Sequence, residues 1–141
     1  MFEFHGWIKL QVDDSDDADI DVLVQRMNVI IEKVQEKIKE TDDNLSHFNI
    51  AKAGNGLNFV SVHGLRNHRF EPIIDLFKWA AAHLPECYGL LYVWDDEDQK
   101  REENYENCFR VWRLAQGQID EKSDPFLSPC VPTIEKPYHF Q

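Results

Sequence analysis

The sequence is most informative first in what it lacks. No stretch of the 141 residues approaches a long apolar run, and a membrane-spanning helix needs about 20 such residues in a row. The start, MFEFHGWIKL, has no extended apolar core of the kind a secretory leader carries. Cysteine is scarce and oddly placed: Cys87, Cys108 and Cys130 are three in number and show no CxxC spacing. That excludes a disulfide framework and a structural zinc site, and it points to a reducing, cytoplasmic setting. Positive charge is also in short supply, with 15 Lys and Arg against 26 Asp and Glu, a net charge of −11. Such a field repels nucleic-acid phosphates and anionic membranes and attracts a basic protein. Screening limits its reach to about 8 Å at physiological salt, so local clusters matter more than the total.

Apolar content is ample for a core, and the length suits a single domain spanning 1–141. Phe2 to Val12 alternates: Phe2, Phe4, Ile8, Leu10 and Val12 share one parity, while Trp7 falls on the other. This predicts a strand with one core face. Six aspartates follow between Asp13 and Asp21, with Ser15 as the expected helix N-cap. The run lacks the glycine and distal glutamate of a calcium loop, so it reads as a solvated helix start and no metal is expected. Ile20, Leu23, Val24, Met27, Ile31, Val34 and Ile38 form a helical stripe ending near Glu40.

Segments 47–53 and 57–63 flank Gly54-Asn55-Gly56, a hairpin signal. A phosphate-cradling loop would need a helix directly after it, but LNFVSVH reads as a strand. Gly64 to Arg69 is a short basic island in which Arg66, His68 and Arg69 suit carboxylates of this chain or of a partner. Pro72 opens a second helix with Ile73, Leu76, Phe77, Ala80 and Leu84 inward, and Pro85 stops it.

Tyr88 to Trp94 is an aromatic, branched strand that runs straight into Asp95, Asp96, Glu97 and Asp98. Four acids cannot continue into a core without partners, so the strand must surface there. Cys108 to Leu114 reads as the last strand, ended by Gln116-Gly117. The remainder, 124–141, is too rich in proline for a helix and too apolar for disorder, so it should lie extended across the domain.

The order β-α-β-β-α-β-β gives an α+β fold of about five mainly antiparallel strands, with both helices on one face and an extended proline-rich tail. Parity places Trp7, Tyr92, Trp94, Arg110 and Trp112 on the helix-free face, which must be covered or bind something. RNA-stacking sheets share such a face, but the charge and the absence of their aromatic-basic signature argue against that reading. Catalysis finds no support either. His5, His63, His68 and Cys108 show no nucleophile, base and orienter pattern, and Asp95 and Asp96 point apart if extended.

HGW at His5–Trp7, GLRNHR, YGLLYVWDDED, FRVWRLAQG and the terminal DPFLSPCVPTIE together resemble the immunity protein 7 family. The resemblance spans essentially the whole chain, and its proline-rich ending is the most specific part. It implies an α+β fold and a cytoplasmic, non-catalytic protein without cofactor. Such proteins of bacterial polymorphic-toxin and contact-dependent competition systems bind and neutralise a cognate toxin domain. A basic, nuclease-type toxin suits the acidic surface, and the expected contact residues are Trp94, Asp95, Asp96, Glu97 and Asp98 with Arg66 and His68. The alternative is an adaptor that recognises peptide through the aromatic sheet face.

Overall fold

The computed structural model describes residues 1–52, 56–99 and 103–129. Among them are eight elements: β1 (Phe2–Leu10), α1 (Ile20–Thr41), β2 (His47–Lys52), β3 (Asn58–Arg66), α2 (Glu71–His83), β4 (Tyr88–Asp95), β5 (Arg110–Ala115) and β6 (Gln118–Ser123). The strands form one antiparallel sheet in the order β2-β3-β1-β4-β5-β6. The α+β class and the two helices on one face are as the patterning predicts.

The core lies between sheet and helices. Phe2, Phe4, Ile8 and Leu10 of β1, Val60 and Val62 of β3, and Leu91 and Val93 of β4 bury against Ile73, Ile74, Leu76 and Phe77 of α2. Alternation explains this: successive side chains of a strand point to opposite faces, so one parity is dry and the other wet. The two helices contribute unequally. α2 buries six residues, whereas α1 buries only Val34 and Thr41 over 22 residues. Ile20, at 75% exposure, and Val24 at 52% lie on the open side of α1.

Four expectations about the helices and strands are corrected. The helix N-cap is Asp19, not Ser15; its carboxylate accepts from the Val22 amide at 3.2 Å. Ser15 is held in a turn by Asp13, and Asp17 takes a positive φ of 52°, so the chain bends again before the helix begins. Second, β3 continues through Gly64, Leu65 and Arg66, because β1 starts at Phe2 and its antiparallel partner must reach Arg66 to pair with it. A Cβ at Gly64 would collide with the Phe4 ring, so the core itself requires glycine there.

Third, a sixth strand follows Gln116-Gly117. Both residues have positive φ, 53° and 71°, which is the tight two-residue hairpin geometry, so the chain turns back. Its polar sequence QIDEKS, with Ile119 as its one apolar residue, hides it from hydrophobic patterning. Fourth, Arg110 and Trp112 lie on the helix side. Trp112 pairs with Leu91 and Arg110 with Val93, both core-facing. The charge of Arg110 is tolerated there because Glu121 of β6 accepts from its Nε at 2.9 Å.

Of the tail, 124–129 is described, and Phe126 is 87% exposed there rather than laid on the sheet. The rest of the tail, and Gly54 and Asn55 of the first hairpin, lie outside the described residues. Among the described residues, no helix is long and apolar enough to cross a membrane.

Candidate functional site

β4 delivers the acidic block. Its central position between β1 and β5 fixes where the chain emerges. Asp95 pairs in register with Phe2, so its side chain points to the core side and is 5% exposed. A buried carboxylate needs partners. Arg69 Nη1 donates to it at 3.1 Å and the Glu97 amide at 3.0 Å. Arg69 also donates to Glu71 at 2.8 Å. Burial opposes the guanidinium charge, but the hydrogen bonds to Glu71 and Asp95 outweigh it and raise the Arg69 pKa.

Beyond Asp95 the backbone winds into a turn. The Asp98 amide donates to the Asp95 carbonyl at 3.1 Å and Tyr105 N–H to the Asp98 carbonyl at 2.9 Å. Asp98 is buried. Asp96 and Glu97 keep exposed carboxylates. Asp96 accepts from the Met1 ammonium at 2.6 Å, a bond that raises the ammonium pKa. Glu97 meets His68 Nδ1 at 2.7 Å. Trp94, half-buried on the helix-free face, donates its indole N–H to the Glu106 carbonyl at 2.7 Å.

The fold therefore brings Trp94, Asp95, Asp96, Glu97, Asp98 and His68 together, and it draws the basic island toward the acids. Arg66 is placed elsewhere. It forms an ion pair with Asp43, donates to Ser46 Oγ, and lies 3.7 Å over the Phe70 ring. That pairing also lowers the Asp43 pKa.

Arg69, which the sequence offers as a partner for carboxylates, is the cation under the block; the Met1 ammonium is a contributor that sequence reading missed. Their signal lies in the register, since Phe2 pairs with both Arg66 and Asp95. A row of histidines was also missed. His47 pairs with His63 and His63 with His5 across three strands, with ring centroids 4.5 and 6.4 Å apart. Partial burial and the neighbouring His47 and His5 lower the His63 pKa. Among the described residues no set of three or more such side chains converges to hold a metal.

Elsewhere the acidic charge is less fully paired. Arg26 forks onto Asp16 at 2.7 and 3.0 Å and holds its carboxyl down at about 2. Asp14, Asp17 and Asp21 make no ion pair among the described residues.

The arrangement offers charge and an aromatic edge on a rigid strand end, which suits binding. No curated protein and no solved structure matches the chain. The model of the immunity protein 7 family matches residues 1–136, from the first strand past the acidic turn and into the proline-rich end. With that coverage, the chain belongs to the immunity protein 7 family, and its role is that of an immunity protein neutralising a toxin.

Proposed function

We propose that the protein acts in the cytoplasm of a toxin-producing bacterium and neutralises a cognate toxin domain by stoichiometric binding, without turnover and without a cofactor. Family membership over residues 1–136 is the observation that carries this reading. The partner we propose is a basic, nuclease-type domain, because a −11 chain accelerates association with a positively charged partner and mimics a phosphate substrate.

The proposed contact surface is the end of β4. Asp96 and Glu97 present exposed carboxylates, Trp94 and His68 flank them, and Asp95 and Asp98 shape the turn from beneath. Arg66, held away from this end by Asp43 and Phe70, would reach the toxin only from its margin. Aromatic residues beside charge are frequent at energetically dominant interface centres. A peptide-binding adaptor is a second reading, favoured by the 38% exposure of both Trp7 and Tyr88 on the helix-free face.

Titrating the cognate toxin domain tests the function: activity should vanish at one inhibitor per toxin. Protection far below that ratio would indicate catalysis and sink the reading. Stopped-flow association of Asp96→Asn/Glu97→Gln tests the surface. We expect a slowing of roughly tenfold at low salt that shrinks at moderate salt. Unchanged kinetics with the fold intact would remove the β4 end, and loss of binding only in Trp7→Ala would favour the sheet face.

A further inference from the structure

The two edges of the sheet differ in a way that toxin binding does not use. β6, at one edge, carries Asp120, Glu121 and Lys122 in mid-strand. Charge in the middle of an edge strand is a device that discourages pairing with another chain. β2, at the other edge, is HFNIAK, and Phe48, Asn49, Ile50 and Ala51 form an uncharged run without proline. An edge strand leaves alternate backbone N–H and C=O groups without a strand partner.

Beside this edge an open groove of about 690 Å³ runs between β2 and the C-terminal half of α1. Its floor is Phe48 and Ile50, both only half-buried. Its α1 wall includes Glu32, Gln35, Glu36 and Lys39, all exposed, and Glu32, Glu36 and Lys39 make no ion pair among the described residues. Neither β2 nor this half of α1 belongs to the acidic turn, and two strands, β3 and β1, separate β2 from β4.

We propose that β2 is a self-association edge, on which a second copy of this chain adds its own β2 antiparallel to make a continuous sheet. The argument is the pattern of charge. A twofold interface brings residue i against residue j and residue j against residue i. Phe48, Asn49 and Ile50 share the groove with Glu32, Gln35, Glu36 and Lys39, and the proposed axis runs by the middle of β2 and by Gln35 and Glu36, the middle of that helix wall. About that axis Glu32 of each copy faces Lys39 of the other, and Gln35 faces Glu36. The groove wall is thus self-complementary, and the half-buried Phe48 and Ile50 gain cover from the second copy's helix. The β4 end stays open in the pair, so self-association and toxin binding can succeed or fail separately.

Sedimentation velocity of the full chain between about 1 and 100 μM should show twice the chain mass. Glu32→Lys and Lys39→Glu, both on the exposed helix surface, should each weaken the dimer by about tenfold or more, because each sets like charges against one another. An equimolar mixture of the two variants should recover dimer, since their charges are then opposed again. Ala51→Lys, which places charge in mid-edge, should also favour monomer. A monomer throughout the range overturns the proposal. So does a dimer indifferent to both charge variants, or β2 amides that gain hydrogen-exchange protection only when a toxin domain is added.

Discussion

At the residue scale, the acids after Trp94 divide by burial into two kinds. Asp95 holds Arg69 and caps the turn, whereas Asp96 and Glu97 face water. Replacing Asp95 by Asn removes the charge opposite Arg69 without changing shape. We expect a loss of about 1–3 kcal/mol in urea unfolding. Asp96→Asn should stay within about 0.5 kcal/mol, as exposed pairs do. His63 makes a second prediction. Burial and its histidine neighbours lower its pKa in the fold, so the folded state binds fewer protons than the unfolded chain. Stability from this source is therefore complete above the unfolded pKa of about 6.5 and declines as pH falls below it. His63→Gln should flatten that decline in denaturation midpoints measured from pH 7.5 to 5. An unchanged slope would place the acid sensitivity elsewhere.

Elements differ in how firmly they are held. α2 is anchored by six buried residues, while α1 fully buries two, packs Met27, Ile30, Ile31 and Ile38 only partly against the core, and keeps exposed apolar side chains in its first half. Helix stability in proteins comes mainly from packing of an apolar face. Amides of Val22 to Asn28 should therefore exchange faster than those of Leu76 to Ala80, measured by hydrogen exchange. The β5–β6 hairpin offers a test of the opposite sign. Gln116 takes a positive φ of 53° that a glutamine side chain disfavours. Gln116→Asn should stabilise the chain by a few tenths of a kcal/mol to about 1, because asparagine tolerates this conformation in two-residue turns.

For the whole molecule, the sheet is a platform with distinct surfaces. One face is packed by helices, and the other carries Trp7, Tyr88, Tyr92, Trp94 and the histidine row. The β4 end presents Asp96 and Glu97, and the aspartates from Asp13 to Asp19 lie before α1, with Asp21 in its first turn. Because a charged surface steers its partner from a distance, toxin association by the wild type should slow steeply between low and physiological salt, while dissociation changes little. Equal association rates at both salts would show that charge plays no part in encounter.

What the sequence determined by itself is what local pattern and composition control. Alternation in β1, the stripe of α2, that of α1 from Met27 onward, the proline start of α2 and the run from apolar strand to acids at Asp95 follow from periods of 2 and 3.6, whereas Ile20 and Val24 of the α1 stripe stay exposed. The family was legible too, from motifs spread over most of the chain. Tertiary structure decided what depends on register. QIDEKS is a strand because β5 and a positive-φ turn hold it in place, not because of its own propensity. Trp112 faces the helices because it pairs with Leu91, and a one-residue difference in pairing reverses every side chain of a strand. Asp95 and Arg69 meet because β4 ends beside the loop before α2, a contact between residues 26 apart. Pairing of this kind decides which acids of a run remain available to a partner, and no local pattern contains it.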